Sequence, residues 1–293
     1  MSFYDKWKKA VESKNSILCA GLDPAECTMG RKEEGLREGT SKLEWALKYV
    51  TAVAPYCAAV KPNVNYWKEH DDMRSLREIV DLAHSQGLVV IDDSKLADIG
   101  DTNDAGIYHS KSKGFDAVTI APFAGNLAQA AQQAKARDIG AITMCLMSNP
   151  EYEREKNKLV PVSDALFTLM MTLTSNPGKV IDGQTYLYQY IYLAYESTLH
   201  HIDGIVIGAP SPKNHIKENE IKKVRDLVNS TTLVLLPGIG KQGGEAGTIM
   251  RYFDRENVIA NVGRDLMFPN GSNTTPEQQA ERAQYYQKML NDL

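Results

Sequence analysis

The chain has little cysteine, four residues in 293, with no Cys-x-x-Cys pair and no His group beside any of them. Cys19, Cys27, Cys57 and Cys145 are expected as free, mostly buried thiols in a reducing compartment, and no zinc-type spacing appears. There is no basic surplus: 33 Lys+Arg against 37 Asp+Glu give a formal net charge of -4, which argues against a general nucleic-acid binder. No apolar run approaches the ~20 residues that cross a bilayer, so no membrane span is expected. The first residues, Met1 to Lys8, are amphipathic and lack the apolar stretch of a signal peptide. A cytoplasmic protein is the expectation. A Gly-x-Ser-x-Gly nucleophile elbow and a Walker loop are also missing.

What is there is repetition of element type. The apolar fraction is 43%, enough for a full core. Short apolar runs at Ile17–Leu22, Cys57–Lys61, Leu88–Asp93, Ala117–Ile120, Ala141–Leu146, Gly204–Ile207, Leu233–Leu236 and Val258–Val262 read as eight strands. Most lack polar-out alternation, as expected for parallel strands covered on both faces. Helical patterns lie between them, at Lys42–Val53, Met73–Gln86, Asn126–Ala136 and Glu218–Val228 among others. The pattern predicts a (β/α)8 TIM barrel forming one domain over residues 1–293, with an open doubly wound sheet as the alternative. Between strands five and six the spacing breaks, and Asn149 to His200 read as an inserted helical segment with helices at Ser163–Leu173 and Gln184–Leu199. Thr275-Pro276-Glu277-Gln278 forms a capping-box signature that should open a final helix to about Asn291.

Barrel active sites gather at the C-terminal ends of the strands. Strand three ends in Asp92-Asp93-Ser94-Lys95, with Asp98 three residues on, and strand two ends in Lys61. Asp93 and Lys95, two apart on an extended chain, should face the same side. A salt-bridge network is the bland reading. However, several charges converging in a barrel mouth are costly unless they serve a purpose. An alternating Lys–Asp–Lys–Asp array favours every member's ionised form and presents a lysine as general acid. Asp92, Asp93 and Asp98 are a candidate set for Mg²⁺, but Lys95 among them competes for the same oxygens. Strands seven and eight end in Pro237-Gly238-Ile239-Gly240-Lys241-Gln242-Gly243-Gly244 and Asn261-Val262-Gly263-Arg264. The glycines alone could be a tight turn. Paired with the guanidinium of Arg264, they point to a phosphate site.

Asp93-x-Lys95-x-x-Asp98-Ile99 after strand three, with Lys61 upstream, Gly21-Leu22-Asp23-Pro24, the glycine-rich segment and Val262-Gly263-Arg264 together resemble orotidine 5′-phosphate decarboxylase, in its longer branch. Related sugar-phosphate barrels carry a similar Asp-x-Lys-x-x-Asp element and use Mg²⁺. They usually place an acid where this chain has Lys61. The resemblance implies decarboxylation of orotidine 5′-monophosphate to uridine 5′-monophosphate without metal or organic cofactor. It implies catalytic roles for Lys61, Asp93, Lys95 and Asp98, with Lys95 as proton donor. Substrate contacts would come from Asp23 at the ribose, Ser148 at the pyrimidine, and Gln242, Gly263 and Arg264 at the phosphate. It further implies a homodimer in which Asp98 and Thr102 reach the neighbouring subunit's site.

Overall fold

The computed structural model describes residues 1–29, 31, 34–240 and 244–293. Its strands are β1 (Leu18–Leu22), β2 (Ala59–Pro62), β3 (Val89–Leu96), β4 (Ala117–Ile120), β5 (Gly140–Leu146), β6 (Leu159–Pro161), β7 (Gly178–Ile181), β8 (Gln184–Tyr188), β9 (Gly204–Ile207), β10 (Leu233–Pro237) and β11 (Val258–Val262). Eight of them close into a parallel barrel in the order β1-β11-β10-β9-β5-β4-β3-β2. Burial on both faces explains their uniform apolar character: β1, β2, β4, β5 and β9 are buried at every position.

The helices are α1 (Phe3–Lys14), α2 (Lys42–Val53), α3 (Asp72–Ser85), α4 (Gly100–Ser112), α5 (Leu127–Ala136), α6 (Tyr152–Lys156), α7 (Asp164–Leu173), α8 (Gln189–Leu199), α9 (Glu218–Leu227), α10 (Ala246–Met250), α11 (Arg264–Met267) and α12 (Pro276–Asn291). α3 turns an apolar stripe to the barrel, burying Leu76, Ile79, Val80 and Ala83. The capping box expected at Thr275 is present, with Gln278 N donating to Thr275 Oγ1 and Thr275 N to Gln278 Oε1. None of the helices among the described residues is long and apolar enough to cross a membrane.

The segment between β5 and β9 differs from the helical insert expected there. It contains α6 and α7, but β6, β8 and β7 form a small antiparallel sheet in that order. Gln184–Tyr188 is a strand, and the helix begins only at Gln189. The Thr185, Leu187 side of the strand is buried while its first residue is exposed, so the two-residue alternation of the Tyr-rich stretch carries real strand information. Hydrogen bonds to β6 and β7 then override the helix-forming composition.

Candidate active site

Strand β3 positions the charged centre. Its residues alternate, so Asp93 enters the barrel while Asp92 turns outward to α4, where Ser110 Oγ donates to its Oδ2. Lys61, at the end of β2, is buried and pairs with Asp93 Oδ2. Lys95 Nζ meets the other oxygen, Oδ1, at 2.6 Å.

That second contact does not arise from a simple extended strand. Lys95 has φ 50, in the left-handed region, and the pairing of β3 with β4 shifts register between Asp92 and Leu96. A lysine there is uncommon and costs energy unless its surroundings hold it. Thr119 of β4 does so: its Oγ1 accepts from Lys95 N at 2.9 Å and lies 3.2 Å from Asp93 Oδ1. Thr119 was not among the sequence candidates. Its signal was one polar residue within the apolar run Ala117-Val118-Thr119-Ile120.

The electrostatics follow from this packing. Burial opposes charge on Lys61, yet Asp93 and Asp23 outweigh it and hold its pKa above the ordinary lysine value. Burial would also raise Asp93, but Lys61 and Lys95 reverse the effect and hold it below the usual carboxylate range. For Asp23 burial is the larger influence, only partly offset by Lys61, and its pKa is raised.

A cleft of about 340 Å³ opens at the C-terminal ends of the barrel strands. Lys61, Asp93, Lys95 and Asp23 line it, together with Ser148, Gly263 and Arg264. Ser148 can approach because β9 is followed by Gly208, where a Cβ would stand 2.5 Å from Ser148 Cβ. Arg264 pairs with Glu34 at 3.6 Å. Gln242 lies outside the described residues. Two wall residues the sequence did not single out are Arg31, whose Nη2 donates to Tyr66 Oη at 2.8 Å, and Asn63 beyond Lys61. Nothing local in the sequence marks Arg31; only the path of the loop after β1 brings it there. Buried Asp23 Oδ1 and Asn261 Oδ1, of residues in the cleft wall, have no hydrogen-bond partner among the described residues.

Asp98 and Thr102 are not brought into this cleft. Both are exposed, and Asp98 Oδ1 accepts from Ile99 N at 2.8 Å while its carbonyl accepts from Asn126 Nδ2. The three aspartates Asp92, Asp93 and Asp98 therefore point three ways. Among the described residues no group of three or more His, Cys, Asp or Glu side chains could hold a metal ion. Both oxygens of Asp93, the one acid of the three inside the cleft, are occupied by lysines, so this donor set does not fit Mg²⁺.

Comparison with known proteins gives a consistent answer. The family model described as Orotidine 5'-phosphate decarboxylase / HUMPS family matches residues 16–282. An orotidine 5'-phosphate decarboxylase of Variovorax paradoxus is 29% identical over 284 residues, covering 94% of this chain and 93% of the relative. One of Natronomonas pharaonis is 27% identical over 272 residues, covering 92% and 89%. In fold, the chain is similar to the structure of Leishmania donovani OMP decarboxylase, with a TM-score of 0.71 at 20% identity, covering 100% of this chain and 98% of that one.

Proposed function

The chain belongs to the orotidine 5'-phosphate decarboxylase / HUMPS family and is a carboxy-lyase, and we propose that it decarboxylates orotidine 5′-monophosphate to uridine 5′-monophosphate and CO₂ using only its own side chains. The observation that carries this reading is Asp93 held between Lys61 and Lys95 inside the cleft. The bond from C6 of the pyrimidine to its carboxylate breaks, CO₂ leaves, and the electron pair remains on C6. Lys95 places its positive charge beside that carbon and then transfers a proton to it; solvent restores the lysine. Asp93, fixed as a carboxylate, lies against the substrate's carboxylate and favours its departure. Lys61 keeps Asp93 charged and, with Asp23, meets the ribose hydroxyls. Ser148 contacts the pyrimidine. Gly263, Arg264 and Gln242 take the phosphate, whose binding energy aligns the base.

The array is completed by a second copy of the chain. Asp98 and Thr102 stand exposed at the start of α4, beside the exposed apolar side chain of Ile99, and they reach into a neighbouring cleft in a homodimer, Asp98 supplying the fourth charge. One barrel domain over the whole chain carries all the other groups.

The test is loss of the substrate's absorbance with purified protein in excess EDTA. Full activity is expected. Activity that appears only with added Mg²⁺ would favour a metal-dependent sugar-phosphate lyase instead, and tight uridine monophosphate binding without turnover would mark a non-catalytic barrel.

A further inference from the structure

The cleft wall that would receive an anion contains an anion of its own. Asp265 directly follows Arg264, lines the cleft, and its side chain is only 12% exposed. A carboxylate there opposes binding of a phosphate unless its charge is balanced.

The balance comes from α12, beyond the end of the barrel. Arg282 Nε donates to Asp265 Oδ2 at 2.9 Å, and Arg282 Nη2 and Tyr286 Oη donate to the same oxygen. The guanidinium lies 4.7 Å from the ring centre of Tyr285 and 5.0 Å from that of Tyr286, so aromatic faces fix its place. Burial foremost, and then Asp265, push the Tyr286 phenol above its ordinary pKa, which keeps it a donor.

Tyr286 also reaches the second half of the anion site. Its hydroxyl lies 3.5 Å, and Asp265 Cβ 3.3 Å, from where a Cβ on Gly240 would stand. A Cβ at that position would press on Val262 Cγ1, at 3.1 Å, and on Asp265, and would meet Tyr286 in ordinary contact. Gly240 after β10 and the Gly263-Arg264 turn after β11 thus lie against one group of side chains. None of these α12 residues lines the cleft, so their action is indirect.

We propose that Arg282 is a positioning residue for the phosphate subsite: it cancels the charge of Asp265 and, with Tyr286, fixes the Gly263-Arg264 turn against Gly240. The inference rests on the reading that Gly263 and Arg264 receive the substrate's phosphate.

The experiment measures kcat and KM for orotidine 5′-monophosphate and inhibition by inorganic phosphate in four variants. Arg282→Ala should raise KM about tenfold or more with kcat within about threefold of the wild type, since an unbalanced carboxylate acts on binding of the remote phosphate. Asp265→Asn in the Arg282→Ala background should recover most of that loss, which a purely structural role for Arg282 would not allow. Arg282→Lys, which keeps the charge, should stay near wild type. An unchanged KM in Arg282→Ala, a double variant no better than the single, or Arg282→Lys as poor as Arg282→Ala each overturns the proposal. Should Arg282→Ala fail to fold, Asp265→Asn alone decides: phosphate inhibition as strong as in wild type or stronger is expected, and weaker inhibition overturns it. A wild-type protein that binds inorganic phosphate but leaves orotidine monophosphate intact would sink the proposed reaction while the phosphate measurements still test Arg282.

Discussion

Asp92 and Asp93 are adjacent carboxylates of one strand, and their surroundings make them opposites. Asp93 faces the cleft, where two lysines hold it charged. Asp92 faces the layer between barrel and helix, with one oxygen on Ser110 and the other, Oδ1, buried without a hydrogen-bond partner among the described residues. Burial pushes Asp92 up to about 6, with the Ser110 hydroxyl and Lys113 offsetting only part of the effect. Residue type therefore says little about charge at this strand end. The number and sign of the neighbours decide it.

Removing a charge from the inner side should have the largest effect. Lys95→Ala should lower kcat by about three orders of magnitude, in the range expected for a lost general acid, while uridine monophosphate still binds. Near-normal turnover would take Lys95 out of the mechanism. The next test asks whether the inner array is complete within one chain. Lys95→Ala and Asp98→Ala should each be inactive alone, yet refolding them together should restore up to about a quarter of wild-type activity, because half of the dimers are mixed and each mixed dimer has one intact site. No recovery would mean that Asp98 acts within its own chain or not at all.

The smallest effect tests the outer side. Because the folded pKa of Asp92 lies above the ordinary 3.8, the folded state binds more protons between those two values. Stability is then lost as pH rises from about 4 to about 6, by up to roughly 3 kcal/mol for a shift of this size. Asn cannot ionise, so the Tm of Asp92→Asn relative to wild type should be more favourable at pH 7.5 than at pH 4. A difference that does not change with pH would show that Asp92 does not carry this penalty.

The barrel was largely legible before any coordinates. Ala117–Ile120, Gly204–Ile207, Val258–Val262 and the helix Lys42–Val53 have the bounds their apolar patterns indicate. Continuous burial of parallel strands writes itself directly into composition. Less legible was the segment before β9, where the sheet of β6, β7 and β8 depends on pairing between residues up to 29 positions apart, such as Leu159 with Tyr188. A local window sees neither partner when it reads the other. The conformation of Lys95 was equally hidden, since its left-handed φ is held by Thr119 on a different strand.

Which groups stand at the strand ends is written in the chain itself, because strand termini, glycines and charged residues are marked locally. Lys61, Asp93, Lys95, Asp23, Ser148 and Arg264 all line one cleft for that reason. The tertiary structure added what no local pattern carries: Asp92 turned back onto Ser110, Lys95 held in a left-handed conformation by Thr119, and Arg282 and Tyr286 reaching back to Asp265. Those outcomes rest on register, helix docking and the return of the chain's last helix, which are set by contacts between residues far apart in sequence.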